Sequence, residues 1–204
     1  MLSKNSVRAL ALATVSLVAI SASAQAAEMV RVRGTITSFE GNTLVVKTRE
    51  GDAKTIALAD GWKVSSVAKA DADAIKPGDF VGIASAPTSS GANGALEVLI
   101  FPAAMKGAGE GSHPWDLQPN STMTNATVAD AVTSVAGRTV KVSYKGGEKT
   151  IDIPQTTPIV TFAPATVADL VAGATVFVPA EVGTDGTITS RQVVVGTNGV
   201  VPPM

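Results

Sequence analysis

From Val30 onward hydrophobic and polar residues alternate with a period of two. Val30, Val32 and Ile36 share one face, while Arg31, Arg33, Thr35 and Thr37 share the other. After Glu40-Gly41-Asn42 the alternation resumes, with Leu44, Val46 and Thr48 on one side and Val45, Lys47 and Arg49 on the other. Successive side chains of a strand point to opposite faces, so this pattern predicts two half-buried strands joined by a tight turn. Glu50-Gly51-Asp52 offers the next turn, with the glycine that hairpins favour. A third strand follows, centred on Ile56 and Leu58. The short Ala/Asp-rich segment 67–76, stopped by Pro77-Gly78, predicts a brief helix. Strands over 80–84 and 96–101 complete the unit.

The same order returns about one hundred residues later. TSFEGNTLVVKT (37–48) matches TSVAGRTVKVSY (133–144) at an offset of 96. KTIAL (54–58) matches KTIDI (149–153), and ADAIKPGDFVGI (72–83) matches VADLVAGATVFV (167–178), both at an offset of 95. Three collinear blocks at nearly constant offset indicate a duplicated domain. In the second copy Val140, Val142 and Tyr144 take the inward parity and Lys141, Ser143 and Lys145 the outward one. Its brief helix falls at 166–172, stopped by Gly173, and its last strands at 175–178 and 188–195.

Strand, strand, strand, helix, strand, strand is the order of a five-stranded OB-type barrel. The expected fold is therefore all-β in the main: two tandem five-stranded OB-like β-barrels, each with a short helix between strands 3 and 4. The first spans 27–102 and the second 125–197, with a connector strap at 103–124 and a tail at 198–204. Ile75 and Leu170 are expected to plug the barrel floors. Each barrel has about 70 residues, a size at which one core contributes only a few kcal/mol, so packing of the two on one another is expected.

The N-terminus changes the setting. Lys4 and Arg8 precede an apolar run from Ala9 to Ile20, and small residues follow up to Ala26. This is the pattern of a secretory signal peptide, residues 1–26, with cleavage before Ala27. The apolar run is shorter than the roughly 20 residues a spanning helix needs. The 178 residues that remain contain no later run long and apolar enough for a transmembrane helix, so a soluble periplasmic protein is expected. Without Lys4 and Arg8 there are 14 basic and 17 acidic side chains, a formal charge of −3, which disfavours nucleic acid as a partner. The chain has no Cys, which removes disulfides, thiolate nucleophiles and thiolate metal sites.

RGTITSFEGNTLVVKT with the later IKPGDFVGI resembles a family of exported proteobacterial OB-like barrel domains of unknown function, here in tandem. The connector MKGAGEGSHPWDLQPNSTMTNATV is similar to a narrower set of periplasmic proteins that automated labelling often calls metal ABC transporter permease. A permease needs membrane spans that this chain is not expected to have. The resemblance implies tandem barrels and a periplasmic home, and it transfers no catalytic residue.

Distinctive chemistry is concentrated in the connector, which holds the chain's one His and one of its two Trp. A long stretch without regular structure inside a compact protein is usually functional or disordered. Trp115 and Leu117 are expected to pack into the groove between the barrels, making Trp115, Asp116 and Leu117 the expected interaction surface for an envelope protein or small ligand. The function expected first is a non-enzymatic binding or adaptor module. The second is metal handling: Met105, His113 and Met123 offer two thioethers and an imidazole, a set that suits copper, with Met29 and Met204 able to join only if the termini lie nearby. The third is a carbohydrate-active enzyme using carboxylates such as Glu110 and Asp116. No G-x-S-x-G, H-E-x-x-H or phosphate-loop motif occurs, so no catalytic residue is assigned.

Overall fold

The computed structural model describes residues 28–134 and 137–203. The expected signal peptide and Met204 lie outside the described residues. Among them the chain forms twelve strands: β1 (Glu28–Glu40), β2 (Thr43–Thr48), β3 (Ala53–Lys69), β4 (Phe80–Pro87), β5 (Asn93–Ile100), β6 (Gly111–Pro114), β7 (Thr122–Ser134), β8 (Gly137–Tyr144), β9 (Gly147–Pro154), β10 (Ile159–Pro164), β11 (Thr175–Val182) and β12 (Ile188–Gly196). Among the described residues no helix is long and apolar enough to cross a membrane.

Five strands close on one another in the order β1-β2-β3-β12-β11-β1, a barrel whose pairings are antiparallel except for the parallel β3–β12 seam. The alternation read from the sequence decides which residues fill it. Val32, Ile36, Leu44, Val46, Ile56 and Leu58 form one buried cluster with Val176, Val178, Val193 and Val195. β1 and β2 approach closely at Gly34, where a Cβ would run into the Lys47 carbonyl. A second group repeats the order as β7-β8-β9-β5-β4, with β4 also paired to β7. There β9 and β5 meet at one residue pair, Gly94↔Asp152.

Strand pairing thus crosses the copy boundary, whereas the sequence reading placed each set of five strands within 27–102 or 125–197. The closed barrel takes β1 to β3 from the first copy and β11 and β12 from the second, and the second group takes the complementary strands. The residues expected as floor plugs follow the exchange. Leu170 packs into the barrel core beside Leu44 and Ile56, while Ile75 packs with Val140, Val142 and Ile151 of the second group. The cause lies in β3, which runs 17 residues without turning back. Its second half pairs with β12 on one side and with β10 on the other. The chain is thereby carried out of the barrel it began, the same geometry by which extended hinges produce domain swapping.

β3 also captures residues 67–69 of the expected first helix. What remains is one 3₁₀ turn, Ala72–Ala74, with its counterpart at Val167–Asp169 capped by the reciprocal Thr166 and Asp169 contacts. A third cluster sits between the two strand groups: Val67, Leu99, Val160, Phe177 and Val194, flanked by Phe101 and Phe162.

Candidate functional site

The connector is ordered, and it bridges the two strand groups. A 3₁₀ turn occupies Ala103–Met105, β6 pairs with β7, and Thr122–Thr124 already belongs to β7. The Asn125 carboxamide holds the glycine-rich turn by donating to the carbonyls of Ala108 (3.4 Å) and Gly109 (3.2 Å). Beyond β6 the chain folds into a tight loop. The Trp115 backbone N–H donates to the Ser121 carbonyl at 2.8 Å, and the buried Ser121 hydroxyl lies 2.9 Å from the Trp115 carbonyl and 2.8 Å from that of Gln118. Asn120 takes the left-handed conformation at φ 61° that completes the turn, which Asn tolerates better than most residues.

This loop docks on the outer face of β1. The Asp116 carboxylate accepts two hydrogen bonds from the Arg33 guanidinium, at 2.8 and 3.1 Å, and lies 3.8 Å from that of Arg31. Paired forks of this kind are geometrically specific and stronger than neutral bonds. The Arg31 guanidinium stacks over the Trp115 ring at 3.9 Å. Arg33, 9 % exposed, lies 5.3 Å from the Phe177 ring, which links this contact to the inter-group cluster. Burial raises the Asp116 carboxyl pKa, but hydrogen bonding and charge from Arg33, with help from Arg31, outweigh it and hold the group below the usual carboxylate value.

The docked loop forms one wall of a cavity of about 640 Å³ at the mouth of the closed barrel. Val30, Val182, Ile188 and Leu117 supply apolar surface, and Arg31, Arg33, Arg49 and Lys54 supply positive charge. Glu50, Asp52 and Asp116 are the acids along its lining. Lys54 lies opposite Val46 and two residues before Ile56, so it shares their parity at the start of β3, where it is exposed at the cavity rim.

The structure therefore places Asp116 and Leu117 on the lining of this cavity, with Trp115 stacked beside them on Arg31 of β1. Trp115 is half-buried against β1, to one side of the groove between the strand groups, because that groove is filled by its own apolar cluster. His113 and Met123 are direct cross-strand partners on β6 and β7, with His113 exposed and Met123 buried. Met105 sits partly buried in the preceding 3₁₀ turn, and Met29 is exposed at the start of β1. Glu110 and Asp116 engage different partners, since Glu110 accepts from the Lys145 backbone N–H at 3.1 Å. Among the described residues no three His, Asp or Glu side chains group closely enough to hold a metal ion.

Sequence reasoning missed Arg31, Arg33 and Lys54 as site residues. Alternation assigned Arg31 and Arg33 to the outer face, but nothing local joins them to an aspartate 83 residues away from Arg33. The pairing of Lys54 with Lys149 in the repeat was the available signal for the third. Comparison with family models, curated proteins and solved structures gives no match.

Proposed function

We propose that the chain is a periplasmic binding or adaptor module, exported by its N-terminal signal, whose interaction surface is the barrel mouth and the loop that walls it. We read both strand groups as OB-like barrels that exchange their last two strands. The observation that carries the reading is the Arg31–Trp115 and Arg33–Asp116 contact, which holds an ordered loop of polar and apolar residues at the edge of an open cavity. In OB barrels the loops around the strand 2–3 face are where ligands bind. A photo-crosslinking residue placed at Leu117 tests this in envelope fractions, with Val132, exposed on β7, as the control position. Adduct at Leu117 and none at Val132 supports the reading. Equal labelling at both, or none at either, contradicts it.

A second reading, copper handling, is favoured by the register pair His113↔Met123, which places one imidazole-bearing and one thioether-bearing residue opposite each other on neighbouring strands. Titration with Cu(I) tests it. Binding lost on His113→Ala supports it, and binding indifferent to His113 removes it.

A further inference from the structure

The duplication supplies an internal comparison for the barrel mouth. Lys54 and Lys149 are the same position in the two copies. In the second group the Lys149 ammonium donates to the Thr122 hydroxyl at 2.6 Å and to the Ser85 hydroxyl at 3.2 Å. Ser85 and Thr122 are direct partners across β4 and β7, five steps along from Phe80↔Thr127. The matching ladder in the closed barrel starts at Thr35↔Thr175, and five steps along it stands Val30↔Ala180. Both hydroxyls that hold Lys149 are thus replaced by apolar side chains around Lys54. Among the described residues the Lys54 side chain makes no hydrogen bond or ion pair, and it borders the open cavity.

From this we infer that the barrel mouth receives an amphipathic carboxylate, whose charged end meets Lys54 and Arg49 and whose apolar body lies along Val30, Val182, Ile188 and Leu117. The inference rests on the binding-module reading and names its ligand class. An ammonium beside apolar walls favours a ligand that brings both an anion and apolar surface, because either alone leaves part of the lining unmatched. Asp116 shows how this wall takes a carboxylate: Arg33 receives it in a two-bond fork, with Arg31 alongside. Arg49 and Lys54 lie on the same lining. The cavity, at about 640 Å³, falls within the range typical of small-molecule sites.

The test is a titration of the purified chain with decanoate, 1-decanol and inorganic phosphate, followed by backbone amide shifts. Lys54→Met keeps the apolar stem and removes the charge, Lys54→Arg restores a charge, and Lys149→Met is the control. The expected result is saturable decanoate binding with shifts at β1, the 49–52 turn and Leu117. Binding should weaken about tenfold or more in Lys54→Met, recover in part in Lys54→Arg, and stay unchanged in Lys149→Met. Equal binding of 1-decanol, tighter binding of phosphate, or indifference to Lys54→Met would each overturn the carboxylate inference. No shift at the mouth with any probe also overturns it, while the Leu117 crosslink still reports separately on whether the surface binds anything.

Discussion

Val67 stands directly opposite Phe162 on the antiparallel strands β3 and β10, and each is the other's counterpart in the duplicated sequence, 95 residues apart. The same offset exchanges the pair Ser65↔Pro164 with Lys69↔Val160. A local two-fold axis therefore passes between Val67 and Phe162. Leu99 and Val194, which the offset also relates, lie in the same buried cluster. The two copies grip each other at the point where each leaves the strand group it began. The apolar contacts that a separate pair of domains would make across an interface are here made by strands that belong to both.

Engineered disulfides distinguish exchanged from self-closed copies, and the chain's lack of Cys makes the result unambiguous. Met29 and Glu181 are exposed register partners across β1 and β11. Met29→Cys with Glu181→Cys is expected to form an intrachain bond under mild oxidation, since the Cα atoms of paired strand residues lie within disulfide range. In a first copy that closed on itself, β4 would stand where β11 stands, with Ala86 in the place of Glu181. Met29→Cys with Ala86→Cys is expected to stay reduced. Mass spectrometry of the oxidised chains reads both outcomes.

Loop docking is expected to weaken in acid. Asp116 has a folded pKa below its usual value of 3.8, because Arg33 and Arg31 outweigh the effect of its burial. Its contribution is complete above the usual value and is lost as pH falls through the lowered folded value. In a Trp62→Phe background, Trp115 fluorescence should shift toward that of a solvated indole as the pH drops below about 4. Asp116→Asn should abolish that step.

Lys149 predicts a slope of the same sign in an alkaline window. Burial pushes its pKa below the usual 10.5, so between the lowered value and 10.5 the unfolded chain holds a proton that the folded chain has released. Its contribution to stability should rise with pH through that window and level off above it. Urea denaturation of wild type and Lys149→Met from pH 8 to 11 reads the difference, with the Lys-dependent rise absent in the variant.

Much of the local structure was legible. Leu44, Val46, Val140 and Val142 are fully buried where alternation placed them, and Ile75 and Leu170 are buried, each in the strand group begun by the other copy. Alternation reports which face of a strand is covered, and the repeat reports that two units share a plan. Neither says which copy supplies the covering strand, because β11 and β4 present nearly the same apolar pattern to β1. The exchange is decided by β3 remaining extended through 63–69, a property of its pairing with β10 and β12 rather than of its composition. The candidate site was half legible for a related reason. Trp115, Asp116 and Leu117 stood out as unusual residues in an unusual stretch, but Arg31 and Arg33 read as ordinary outward positions until the loop was laid across them.

The most direct test of the account is hydrogen exchange at the Trp115 amide, which donates to Ser121 within the docked loop. The account predicts protection in the wild-type chain. In Asp116→Asn that exchange should quicken about tenfold or more, since one fork of charge-assisted bonds contributes on the order of 1–3 kcal/mol, while β1 and β11 keep their protection. A Trp115 amide that exchanges freely in the wild type, or one whose rate ignores Asp116→Asn, would contradict the claim that this loop is a fixed wall of the barrel mouth.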